Sequence, residues 1–353
     1  MGSMIKTKLM DMLGTKYPII QAGMGPYSTT RLAAAVANAG ALGIISGVGM
    51  GVPKLLGGQR FMDFDPDKSP GEHMTEAINY VKDATKESGG VFGINVPVAV
   101  EFKEISQELI ETAVQVREKD PDLVKRMKVF ITSAGNPEPY VESIKESGAL
   151  HFHVCPSPYH AKKVEKMGVD LVIASGHEGG GHVAWEPVHS MVLIPEVVKS
   201  VKLPVVAAGG ICDGAGLAAA LTLGAVGVQM GTRFIATQES DFLDYYKNYV
   251  KDISDVRDSI VARGVFGRLR YLKTDATIRL YEMEKEGRPD EEVYAFELKA
   301  IKAIHEGDPK RAAFFGGEVA GRIFDIPTVK ELLDRVVKEA EEIIRDKLPK
   351  LVT

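Results

Sequence analysis

Two cysteines in 353 residues, Cys155 and Cys212, are too few for a disulfide framework, and both sit in apolar surroundings. Their scarcity fits a reducing, cytoplasmic compartment. Long apolar runs are missing as well: none reaches the roughly 18 to 20 uncharged residues that a membrane-spanning helix needs. Residues 1–12 lack the apolar centre of a secretory signal. There is no basic excess either. The net charge is −5 with both signs interspersed, which excludes the basic stripe of a nucleic-acid surface. No Gly-x-Gly-x-x-Gly turn follows the first strand, so the fingerprint of a dinucleotide-binding sheet is absent.

What is present is a chain 45% hydrophobic, enough for a large core. Short apolar runs over 18–20, 41–46, 90–97, 128–132, 149–155, 170–174, 204–208 and 225–230 lack polar alternation. Strands of that kind are buried on both faces, as in a parallel sheet. Helical patterns over 31–38, 72–87, 101–119, 138–147, 157–167, 186–201 and 213–222 alternate with them. Eight such units in about 230 residues predict a (β/α)8 TIM barrel, with a doubly wound open sheet as the alternative. Thr29 or Thr30 should cap the first of these helices and Asp213 the last, and Pro195 should divide the helix that contains it. Residues 52–71, with Pro53, Gly57, Gly58, Pro66, Pro70 and Gly71, read as a long irregular loop.

Beyond residue 238 the rhythm changes. Charged helices are expected over 241–252 and 291–306, with a strand-like or irregular stretch over 263–274 between them. A final amphipathic helix over 327–346 carries Val329, Leu332, Leu333, Val336, Val337 and Ala340 on one face. The expected division is a barrel over 4–238, a smaller helical lid or substrate subdomain over 239–322, and a C-terminal helix over 323–353 that returns to the barrel.

Glycine and polar residues concentrate where strands end: Gly23 and Met24, Asn95, Ser133, Ser175, Gly209-Gly210 and Gly231-Thr232. In a barrel those ends form the face that carries chemistry. The last two pairs follow the seventh and eighth barrel strands, the usual phosphate seat of this fold. The densest signal is Ser175-Gly176-His177-Glu178-Gly179-Gly180-Gly181-His182. Its three consecutive glycines let the backbone approach a flat or charged ligand, and His182 stands beside that surface, placed to exchange a proton. His177 reads as a hydrogen-bonding residue at the strand tip. The spacing His-Glu-x-x-x-His differs from the one-turn helical pair of a zinc site, so no metal is expected. His151, His153, His160 and His189 read as packing or surface residues, and both cysteines as buried thiols.

Together, Pro18-Ile-Ile-Gln-Ala-Gly-Met-Gly, Glu178-Gly-Gly-Gly-His182, Pro204-Val-Val-Ala-Ala-Gly-Gly-Ile and Val228-Gln-Met-Gly-Thr-Arg-Phe resemble the nitronate monooxygenase family. Flavin-dependent enoyl-acyl-carrier-protein reductases and some NADH:quinone reductases share these motifs. The resemblance implies non-covalent FMN, with its phosphate on Gly209, Gly210, Gly231 and Thr232. The flavin ring would lie against Ala22, Gly23, Met24 and Asn95, with Ser175, Gly180 and Gly181 close by. It also implies that His182 acts as a base or orients an anionic substrate. Gly179 stands where the family usually has alanine, and Ala184 where it has glycine.

The function expected on this basis is oxidation of alkyl nitronates with O2, the flavin doing the hard step. One alternative is an NAD(P)H-dependent reductase of an enoyl thioester or quinone, with Arg263, Arg268 and Arg270 as candidates for holding its phosphates. A flavin-free phosphate-binding isomerase or lyase is another. The expected partners are small molecules, with a homodimer left open and neither nucleic acid nor membrane among them.

Overall fold

The eight apolar runs become eight parallel strands: β1 (Ile19–Gln21), β2 (Gly43–Ser46), β3 (Phe92–Pro97), β4 (Met127–Ser133), β5 (Leu150–Cys155), β6 (Leu171–Ser175), β8 (Val205–Ala208) and β9 (Gly227–Met230). The computed structural model describes residues 5–55, 60–264 and 267–351. Strand order is β1-β9-β8-β6-β5-β4-β3-β2, and a parallel bridge from Ile20 to Leu42 joins the two ends. Leu42 N–H donates to the Ile19 carbonyl at 3.0 Å and Gln21 N–H to the Leu42 carbonyl at 3.0 Å, so the ring of strands closes. Ile20, Ile44, Ile131, Phe152, Ile173 and Val206 fill its interior. The alternate residues Val172, Ala174 and Cys155 face outward and pack with Val164, Leu193 and Val197 of the helix layer. With both faces covered, neither needs polar alternation.

Two sequence expectations give way to packing. Thr29 stands at the N-cap position of helix Thr30–Ala39 but makes no side-chain cap. Its hydroxyl bonds to the carbonyls of Ser28 and Ile44, and Asp241 caps the helix instead, accepting from Arg31 N–H at 3.1 Å and Leu32 N–H at 3.0 Å. A residue more than 200 positions away in sequence cannot be read as a local cap. Pro195 does not divide its helix, which runs unbroken over Ser190–Ser200. The carbonyl it leaves unpaired belongs to Met191, on the exposed first turn where water can serve it. Asp213 does cap Gly214–Thr222, through Gly216 N–H at 2.9 Å.

Within the expected irregular loop, Val52–Leu55 is a short helix, while Gly57 and Gly58 lie outside the described residues. The following helix begins at Pro70, with Ser69 and Glu72 forming a capping box. In the region after residue 238, helices Asp244–Asp252 and Asp290–Lys302 form as expected, and a further helix, Asp275–Lys285, joins them. The stretch read as strand-like is an antiparallel hairpin, β10 (Ser259–Gly264) and β11 (Gly267–Leu272). β11 pairs in turn with a two-residue strand, β7 (Gly181–His182), which sets His182 opposite Leu269 and Gly181 opposite Arg270. One apolar cluster joins Ile45, Ile94 and Leu109 of the barrel to Tyr246, Tyr271, Leu280 and Phe314 beyond it. The last helix, Val329–Glu342, packs its apolar face with Leu217 and Ala218 of Gly214–Thr222.

His151 and His153 of β5 are buried, with the Thr132 hydroxyl 2.8 Å from Nε2 of His151 and 2.7 Å from Nδ1 of His153. Burial pushes the His151 pKa from 6.5 down to about 4, and burial followed by the neighbouring histidines takes His153 to about 3. Both imidazoles therefore stay neutral in the fold at pH values where they are protonated in the unfolded chain. Their contribution is fully present above pH 6.5 and is lost as the pH falls through that value toward about 4, because the unfolded state then binds more protons. The urea midpoint should drop between pH 7 and pH 5, and His153→Phe should flatten that dependence. An unchanged slope in the variant would remove His153 from the account.

Candidate active site

The carboxyl ends of the strands surround a cavity of about 680 Å³. All twelve residues singled out from the sequence line it: Ala22, Gly23, Met24, Asn95, Ser175, Gly180, Gly181, His182, Gly209, Gly210, Gly231 and Thr232. Each arrives from a strand end or from the loop that follows, so parallel strand direction alone gathers them.

On one wall, β8 and β9 exit through Gly209-Gly210 and Gly231-Thr232. Gly209 at φ +85° and Gly210 at φ +76° occupy left-handed backbone that a side chain would strain. A Cβ on Gly209 would also stand 2.6 Å from the Gly176 carbonyl oxygen. The Thr232 hydroxyl accepts a hydrogen bond from Gly317 N–H at 2.9 Å, which leaves its own proton to donate to a ligand. Next to it in the wall, the buried Oε1 of Gln229 has no hydrogen-bond partner among the described residues. A buried carbonyl without a donor is costly, and a ligand N–H would satisfy it. Gln229 was not singled out from the sequence. The signal was there, as the one polar residue in the Gly-Val-Gln-Met strand.

The glycine loop, leaving β6 beside β8, forms the adjoining part of the wall. Glu178 turns back, and its carboxylate accepts Ser190 N–H at 2.9 Å and the Ser190 hydroxyl at 3.0 Å. That serves the first turn of helix Ser190–Ser200, whose N-cap residue, His189, supplies no side-chain cap. The Ser190 hydroxyl also donates to the Gly209 carbonyl at 2.8 Å, so the loop is tied to the exit of β8. Gly180 packs against the backbone of Gly316 and Gly317, where a Cβ would stand 2.6 Å from the Gly316 carbonyl carbon. The Glu178 carbonyl accepts Glu318 N–H at 3.0 Å.

His182 is exposed at the cavity wall, its backbone fixed by the β7–β11 pairing and by Val183 N–H donating to the Arg268 carbonyl at 3.0 Å. His177 is set deeper. Burial, then the Arg270 guanidinium and His189, lower its pKa and so favour the neutral ring, and its buried Nδ1 has no partner among the described residues. Arg270 is no surface charge. It is buried, donates to the His177 carbonyl at 2.9 Å and to the Ser259 hydroxyl at 2.9 Å, and pairs with Glu318 at 3.1 Å. Arg263 pairs with Asp290 away from the cavity, and of the three arginines Arg268 alone lines it. Trp185 lines it too, and neither it nor its stacking with Arg268 was legible before the hairpin was placed.

A family model described as nitronate monooxygenase matches residues 6–339. The chain is 30% identical over 378 residues to (3aS,4S,5R,7aS)-5-hydroxy-7a-methyl-1-oxo-octahydro-1H-indene-4-carboxyl-CoA dehydrogenase of Rhodococcus jostii, covering 96% of each. It is 28% identical over 366 residues to a probable nitronate monooxygenase of Staphylococcus saprophyticus, covering 96% of this chain and 99% of that one. Among solved structures, FabK from Thermotoga maritima superposes with a TM-score of 0.82 at 32% identity, covering 99% of this chain and all of the other, 100%. Nitroalkane oxidase from Streptomyces ansochromogenes superposes with a TM-score of 0.74 at 25% identity, covering 95% and 98%.

Proposed function

The chain belongs to the nitronate monooxygenase family, whose model spans residues 6–339, and from that premise we propose that it binds FMN in the rim cavity and oxidises alkyl nitronates with O2. At the coarser level it is a flavin-dependent oxidoreductase acting on a small molecule. The observation that carries the proposal is that one cavity is lined by both a glycine-and-threonine seat suited to a phosphate and a glycine loop ending in His182. The unsatisfied Gln229 Oε1 and the donor capacity of Thr232 fit a flavin mononucleotide, which offers a ring N–H to the first and a phosphate to the second.

Redox chemistry is what the flavin supplies when bound, accepting electrons from the substrate carbon and returning them to dioxygen. The protein's part is binding and orientation. Gly209, Gly210, Gly231 and Thr232 would hold the phosphate through backbone N–H groups and one hydroxyl. Gly180 and Gly181 would let the loop lie against the ring. A nitronate is already a carbanion equivalent, so His182 need only orient its charged oxygens through a ring N–H, while for a neutral nitroalkane it would take the α-proton. In this reading residues 239–322 form the substrate side of the site.

A second reading, an NAD(P)H-dependent reductase of an enoyl thioester or quinone, is favoured by one feature: the cavity extends to Trp185 and Arg268, beyond what a small nitronate requires. Anaerobic mixing of the yellow protein with propyl-2-nitronate separates the two. Prompt loss of the visible flavin band supports nitronate oxidation. An unchanged band that NADH then bleaches supports the reductase. Cofactor released by heat should chromatograph as FMN. A colourless protein without affinity for FMN would sink both readings and leave a flavin-free isomerase or lyase.

A further inference from the structure

Trp185 is the only tryptophan in the chain, and it is 66% exposed while forming part of the cavity wall. The Arg268 guanidinium carbon lies 5.4 Å from its ring centroid. Glu284 holds one guanidinium nitrogen of Arg268 at 2.9 Å, so the arginine is set in place rather than left to wander. Both residues are carried by the same ladder that positions His182. Trp185 follows His182 by three positions, and Arg268 immediately precedes Leu269, the ladder partner of His182. A flat indole ring, with a fixed guanidinium over one face and the other face left for a ligand, thus stands at the cavity mouth, next to the residue assigned to proton exchange. A small nitronate has no use for either. An adenine nucleotide uses both, because a base stacks on an indole face and a phosphate takes charge-assisted hydrogen bonds from a guanidinium.

We infer that the mouth of this cavity binds the adenine-nucleotide end of a co-substrate, with Trp185 stacking on the base and Arg268 pairing with a phosphate. This rests on the reductase reading of the site and narrows its substrate class. The reactive end of such a co-substrate enters past His182, and its nucleotide end stays at the mouth. Two sources carry this chemistry, a coenzyme A thioester and a nicotinamide dinucleotide, and they differ in where their phosphates stand.

With a single tryptophan, intrinsic fluorescence reports on this one position. The yellow holoprotein, excited at the red edge of indole absorption, is titrated with adenosine 3′,5′-bisphosphate and, separately, with ADP-ribose. Saturable quenching by the bisphosphate alone supports the inference and assigns a coenzyme A thioester. Saturable quenching by ADP-ribose alone supports it and assigns a dinucleotide. Arg268→Ala should weaken binding about tenfold, the loss of one charge-assisted phosphate contact. By equilibrium dialysis Trp185→Phe should retain binding, whereas Trp185→Ala should lose it, the visible flavin band showing that each variant is folded and loaded. No saturable quenching by either nucleotide, in protein whose flavin band is intact, overturns the inference. It does so without touching the flavin assignment, which the nitronate experiment tests separately.

Discussion

Replacing His182 with alanine is expected to lower turnover of an alkyl nitronate by about 100- to 10,000-fold, the range of a lost general base or orienting group. The protein should stay yellow. His182 is exposed, so truncation opens no hole in the core, and its backbone pairing with Leu269 does not need the imidazole. Stability should therefore change by no more than about 0.5 kcal/mol. A second variant separates the two roles open to this residue. His182→Gln can still donate a hydrogen bond but cannot take a proton. If it restores oxidation of preformed nitronate but not of the neutral nitroalkane, the imidazole orients the first and deprotonates the second. Unchanged kcat in His182→Ala would take the residue out of the mechanism.

The second large effect belongs to Gly209→Ala, which should lose most of its bound flavin and a substantial part of its stability. Two costs add. The left-handed backbone at φ +85° strains any side chain by about 1 to 3 kcal/mol. The new Cβ also meets the Gly176 carbonyl oxygen at 2.6 Å, and Gly176 cannot retreat because its own N–H bonds to the Ala208 carbonyl at 2.9 Å. Gly231→Ala is the matched comparison. A Cβ there finds its nearest neighbour, Met24 Sδ, at 3.5 Å, an ordinary contact. It should fold normally and weaken flavin binding only by crowding the phosphate seat. The urea midpoint and the ratio of visible to ultraviolet absorbance read both effects. Equal losses in the two variants would mean that backbone geometry at residue 209 is not what holds the site.

The barrel was legible because each of its strands is a short apolar run that needs nothing distant to define it, and the eight barrel strands fall where those runs stand. The residues around the cavity were legible for the same reason, since a strand's carboxyl end is known once the strand is. What escaped depends on partners far along the chain. β7 exists only because β11 comes to it, and nothing around Gly181-His182 announces a strand. Asp241 as a cap and Arg270 as a buried tie to the His177 carbonyl join segments remote in sequence, while Glu178 reaches across its own loop to support helix Ser190–Ser200. Gln229 is of another kind, since its importance appears only as an unmet hydrogen bond.

The contact between Gly180 and the Gly316-Gly317 backbone bears on how such a protein can be rebuilt. Two chain segments more than 130 positions apart touch main chain to main chain, and neither has a side chain that could yield. A graft that brings residues 239–322 from a relative, to import its substrate preference, would bring a new surface against a loop shaped for the old one. The recipient loop over 176–184 would have to travel with it. Recombinants that exchange both segments together should fold and take up flavin, whereas those that exchange one alone should be found mostly in the insoluble fraction.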